Sequence, residues 1–163
     1  MANIEQSIEV GVPVRTAYDQ WTQFEEFPRF MEGVESVTQM DEKRLHWVAE
    51  IAGKREEWDA EITEQTPDQR VAWTNTSGAK NAGVVTFHHL TDDRTRVMLQ
   101  LDYEPEGLVE HVGSALGVVS RRVEGDLERF KDFIEERGRE TGAWRGEIEQ
   151  HNVGARGYSP SER

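Results

Sequence analysis

Residues 34–104 hold six strand-like segments with only turn signals between them, and this restricts the fold more than any other feature. Alternation of apolar and polar residues is the period of a half-buried strand, because successive side chains leave opposite faces. VESVTQM (34–40) alternates weakly. RLHWVAEI (44–51) sets Leu45, Trp47, Ala49 and Ile51 against His46, Val48 and Glu50. REEWDAEIT (55–63) sets Trp58, Ala60 and Ile62 against Glu57, Asp59 and Glu61. QRVAWTN (69–75) follows a TPDQ turn, GVVTFHHL (83–90) carries Val85 and Phe87 on one face, and RVMLQLDYE (96–104) sets Val97, Leu99, Leu101 and Tyr103 against Arg96, Met98, Gln100 and Asp102. Parallel neighbours would need long crossovers, which these gaps cannot hold. The segments therefore predict an antiparallel meander with one apolar face and one acidic face, covered on one side only.

The flanking sequence supplies the cover. NIEQSIEV (3–10) alternates as a further strand, with Ile4, Gln6, Ile8 and Val10 on one side. Pro13 fits a first helical turn, where its missing N–H costs nothing. Ala17, Trp21 and Phe24 then form one helical stripe, Pro28 breaks it and Gly33 closes the segment. From about Leu108 to Glu136 the period becomes helical: Leu116, Val119, Val123, Leu127, Phe130 and Ile134 recur at steps of three and four. Arg121, Arg122, Glu124, Asp126, Glu128 and Lys131 fill the other positions. The order strand, two short helices, six strands, long helix is an α+β arrangement, one helix against a curved seven-stranded antiparallel sheet. A space between such a helix and sheet suits an apolar ligand. The domain is expected over 1–137. Residues 138–163 show no period and read as a flexible polar tail.

Several stretches carry a family resemblance: PVRTAYDQWTQFEEFPRFMEGVESV, HWVAEIAGKREEWDAEITEQTPDQRVAW with its W-x-A-E-I core, NAGVVTFHHL with TRVMLQLDYEP, and DLERFKDFIEER. In this order they resemble the polyketide cyclase/dehydrase branch of the START-like superfamily (SRPBCC, Bet v 1-like helix-grip proteins), related to coenzyme Q-binding START-domain proteins. The resemblance implies the helix-grip fold, with the long C-terminal helix over the concave face. It also implies a deep pocket beneath that helix for a small hydrophobic molecule, aromatic polyketide-like or isoprenoid- and lipid-like. Two functions follow from it: cofactor-free aldol cyclisation and dehydration of a polyketide, or non-catalytic carriage of a quinone or lipid.

Composition narrows the partners. The net charge is -13, and since residues 138–163 hold four arginines and four glutamates, all of it lies in 1–137. So acidic a body repels nucleic acid and anionic lipid. The N-terminus lacks a basic start and an apolar core, and no run approaches the roughly 20 apolar residues of a bilayer span. A cytoplasmic protein without stable membrane insertion is expected. There is no cysteine. The histidines 46, 88, 89, 111 and 151 fit no metal spacing, His88 and His89 pointing to opposite faces. GAKNAG (78–83) lacks the phosphate-loop pattern and reads as a hairpin turn. No G-x-S-x-G elbow is present. Neither metal nor cofactor is expected, and oligomeric state is not legible.

The site must then rest on inward polar and aromatic residues. Tyr103, His89 and Arg121 are candidates for acid–base or carbonyl-polarising roles, with Gln6 and Arg122 as further inward polar positions. Trp47, Trp58, Trp73, Asn75, Phe87, Leu101, Tyr103, Val119 and Val123 are the expected ligand contacts. The tryptophans serve equally as core, and a helix arginine equally as a solvated charge.

Overall fold

A computed structural model describes residues 2–51, 53–104 and 112–149. Strand β1 (Ala2–Val10) leads into helix α1 (Val14–Trp21) and a 3₁₀ helix (Phe24–Arg29) that contains Pro28. Strands β2 (Val34–Gln39), β3 (Arg44–Ile51), β4 (Lys54–Thr66), β5 (Arg70–Asn75), β6 (Lys80–Thr91) and β7 (Arg94–Glu104) follow, then helix α2 (Val112–Arg137). The sheet order is β1-β7-β6-β5-β4-β3-β2, every pair antiparallel. This is the helix-grip α+β fold. Leu108 and His111, read into or beside the last helix, lie outside the described residues, as do 150–163 with His151. Among the described residues, no helix is long and apolar enough to cross a membrane.

Alternation sets which side chains enter the core. Ile4, Leu45, Ala60, Ile62, Val71, Val85, Phe87, Val97, Leu99 and Leu101 are buried on the concave face, beneath Leu127, Phe130 and Ile134 of α2. The aromatic run after Pro13 supplies the remaining wall. Trp21 meets Phe130 at 5.1 Å and Phe27 at 5.4 Å between ring centroids, and Phe30 meets Phe130 at 5.2 Å. Each such ring, fully buried, contributes roughly 1.5–3 kcal/mol.

Polar staples fix the helix on the sheet. The Gln6 amide donates to Ser120 Oγ at 3.1 Å. Arg122 donates from Nη1 to the backbone carbonyls of Glu32 (3.0 Å) and Glu50 (2.9 Å). Gly33, at φ 84°, makes that reach possible: a Cβ there would lie 2.4 Å from the Arg122 guanidinium.

The chain beyond α2 departs from the expected free tail. Over 138–149 it lies as a strap against α1 and β4. Ile148 is buried and exchanges two backbone hydrogen bonds with Gln65, at 2.8 and 2.9 Å. Thr141 and Gln20 are doubly bonded, and Thr22 Oγ1 accepts from Trp144 N. Arg145 pairs with Asp19, which is 1% exposed, and with Asp68 at 2.9 Å. A segment without helical or strand period can still dock where its few apolar and charged residues find fixed partners, which periodicity does not register.

Candidate functional site

Between the concave face and α2 lies a cavity of about 150 Å³. β3, β4 and β5 project Trp47, Trp58 and Trp73 into its wall, α1 and the 3₁₀ helix add Trp21, Phe24 and Phe27, and α2 adds Val123, Asp126 and Leu127. Antiparallel register places Trp47 directly opposite Trp58, and the two rings stack 5.7 Å apart at 9°. Trp73 lies flat because its partner on β6 is Gly83. A Cβ at Gly83 would fall 2.7 Å from the Trp73 ring and 2.8 Å from the Gln100 carbonyl. Trp73 Nε1 donates to Asn81 Oδ1 at 3.3 Å.

The wall is mainly apolar, with Asn75 and Asn81 at one end and Asp126 on the helix. Asp126 Oδ1 accepts from Glu32 N at 2.9 Å and from Arg129, whose Nε also donates to the Phe30 carbonyl. Both bonds fall on one oxygen. Burial pushes the Asp126 carboxyl above its ordinary range, while Arg129 and the Glu32 N–H pull it down. The result is an oriented carboxyl, 16% exposed, in an otherwise apolar wall.

The expected site residues separate into groups. Trp47, Trp58, Trp73, Asn75, Leu101 and Val123 line the cavity. Phe87 does not: it packs on Tyr18 at 5.4 Å and Trp21 at 6.3 Å, because α1 covers that end of β6. Val119 packs against the core outside the lining. Tyr103 borders a neighbouring chamber further out. His89 shares the inward parity but sits at a bulge past the last β5 partner of β6, 58% exposed and 3.6 Å from Asp92. Arg121 is exposed, and Arg122 is engaged with backbone carbonyls rather than the cavity. Asp126 went unrecognised because its charge suggested the solvent face. Its position, three after Val123 and four before Phe130, places it on the inner stripe. Asn81 was hidden inside the GAKNAG turn, although it shares parity with Gly83 and Val85.

Residues 10–132 match the family described as polyketide cyclase / dehydrase and lipid transport. A 17.2 kDa uncharacterized protein encoded in the melC2-rnhH intergenic region of Streptomyces lincolnensis is 61% identical over 149 residues, 91% of this chain and 99% of that protein. The Zhui aromatase/cyclase of Streptomyces sp. R1128 has the same fold, with a TM-score of 0.76 at 16% identity over 88% of this chain and 99% of that one. A START superfamily protein of Mycobacterium smegmatis gives 0.62 at 17% identity, over 78% and 97%. The match runs from the end of β1 through most of α2, the elements that enclose the cavity, and the chain belongs to the polyketide cyclase/dehydrase and lipid transport family.

Proposed function

We propose that the protein binds a small, mainly apolar aromatic molecule in the tryptophan-walled cavity, with a hydroxyl or carbonyl of the ligand directed at Asp126. The observation that carries this reading is one oriented carboxyl in an apolar cavity of about 150 Å³. An apolar cavity of roughly that size admits a single benzene-like ring. A long isoprenoid tail needs more room, so size favours the aromatic class over a lipid. Family membership, and the aromatase/cyclase named among the structures of like fold, point toward polyketide-derived rings.

Asp126 also favours a catalytic reading over simple carriage. In an aldol cyclisation an enol carbon attacks a ketone carbon of the same chain, and the resulting hydroxyl leaves as water. Folding the chain supplies much of the rate through proximity. The carboxylate form of Asp126 can take the enol proton as the C–C bond forms and return it to the new alkoxide, then take the α-carbon proton and pass it to the hydroxyl, which leaves as water while the C=C bond forms. Native mass spectrometry of protein from its own host, with titration of phenol and toluene followed by tryptophan fluorescence, tests the reading. Binding of both rings is expected, with Asp126→Asn weakening phenol several-fold and leaving toluene unchanged. No retained mass and no response to either ring at millimolar concentration would sink it.

A further inference from the structure

The concave face changes character along its length. Its inward positions are apolar where Val71, Val85 and Val97 lie and carry the three tryptophans midway. At the end bounded by the β3–β4 and β5–β6 turns they become polar: Lys54 and Glu56 on β4, Asn75 on β5, Asn81 on β6, Tyr103 on β7. The register brings them together, with Ile51 opposite Lys54, Ala49 opposite Glu56 and Asn81 opposite Tyr103. They border a second chamber of about 120 Å³, closed by the turn at Gly78 and Ala79. Trp58, Asn75 and Asn81 wall both chambers.

We infer that this outer chamber is a second subsite, holding the uncharged, hydrogen-bonding arm of an amphiphilic ligand whose ring occupies the inner cavity. The inference rests on the reading of the inner cavity given above. Neither chamber alone reaches the roughly 300 Å³ of ordinary small-molecule sites, and together they approach it. The arm must be polar, because two asparagine amides and a carboxylate would otherwise be desolvated against hydrocarbon. Asn75 Nδ2 is committed to the Ala79 carbonyl at 3.0 Å, which leaves Oδ1 an acceptor with no hydrogen-bond partner among the described residues. A hydroxyl or amide arm suits that edge. The arm must also be uncharged. Among the described lining residues Lys54 is the one cation, and Glu56 already stands 3.9 Å from it. Glu57, also on the lining, is paired on its outer side with Arg55 and His46. Among the described residues no spare cation remains for an anionic arm, and both lining carboxylates already have cationic partners, which leaves none for a cationic arm.

Three one-ring probes test this: toluene, 3-phenylpropan-1-ol and 3-phenylpropanoate, with dissociation constants read by tryptophan fluorescence. The alcohol is expected to bind about fivefold or more tighter than toluene and about tenfold tighter than the carboxylate. Ala79→Trp fills the outer chamber, so it should cut the alcohol's advantage over toluene to within about twofold while toluene binding stays the same. Glu56→Gln frees Lys54, and about a threefold gain for 3-phenylpropanoate is expected without change for toluene. This second variant decides the matter if the first does not fold. Equal binding of alcohol and toluene, an alcohol advantage untouched by Ala79→Trp, or no gain for the carboxylate in Glu56→Gln overturns the subsite and leaves the inner cavity standing. Failure of toluene to bind the unaltered protein strikes the inner cavity itself, and the subsite falls with it.

Discussion

Removing Arg145 should unlatch the strap. Its guanidinium bonds Asp19, 1% exposed, reaches Asp68 at 2.9 Å and lies 5.6 Å from the Tyr18 ring. Taking one partner from a buried ion pair costs about 3–5 kcal/mol. Two observations lower that figure: Arg145 is 27% exposed, and Arg15 Nε remains 3.6 Å from Asp19. Arg145→Ala is therefore expected to cost about 2–3 kcal/mol, a fall in Tm of about 5–10 °C for a chain of this size. The loss should depend on pH. Burial raises the Asp19 carboxyl above its ordinary value of 3.8, while Arg145 pulls it down. Between the unfolded and the raised folded value, the folded state holds more protons than the unfolded one. This group's contribution is thus most favourable on the acid side and is lost as pH rises through that window. Without Arg145 the window extends upward, so the deficit of the variant, full at pH 7, should shrink as pH falls into the window. Urea denaturation followed by tryptophan fluorescence, at several pH values, measures it, and Asp19→Asn combined with Arg145→Ala should recover part of the loss. A cost under about 1 kcal/mol at pH 7, or one that does not vary with pH, would refute the latch, since a surface pair is worth up to about that much.

Other perturbations report on the cavity and the grip. Gly83→Val places a side chain against the Trp73 ring and the Gln100 carbonyl, neither free to retreat; a loss of about 1–3 kcal/mol with shifted tryptophan emission is expected. Phe130→Ala removes a fully buried ring packed on Trp21 and Phe30 and should cost about 3–5 kcal/mol in urea denaturation. Arg122→Ala breaks two bonds to backbone carbonyls and should cost about 1–3 kcal/mol while leaving far-UV circular dichroism unchanged.

Much of the fold was legible because its signals are local. RLHWVAEI and β3 coincide at 44–51, and the stripe Val123, Leu127, Phe130 and Ile134 falls on α2. Strand ends were less so: β4 runs to Thr66 through a bulge at Ile62–Glu64, where the shift in register breaks strict alternation. Within the candidate site, parity identified Trp47, Trp58 and Trp73 as inward. It could not separate Phe87 from them, since core and cavity share one face and differ only in what stands opposite. Phe87 meets α1, while Trp47 and Trp58 meet open space.

The sequence alone determined the antiparallel sheet, its apolar face and the helix that covers it, because period two and period 3.6 are properties of the backbone that residue type reports directly. Only the tertiary structure decided the rest. Asp126 became a cavity carboxyl because the Glu32 N–H, 94 positions earlier, joins Arg129 one helical turn away in bonding the same carboxyl oxygen. His89 is open to solvent at a register shift past the last β5 partner of its strand. Residues 138–149 became a strap because Asp19, Gln65 and Asp68, distant in sequence, converge on Arg145 and Ile148. Each outcome depends on which distant groups meet, and no local period encodes that.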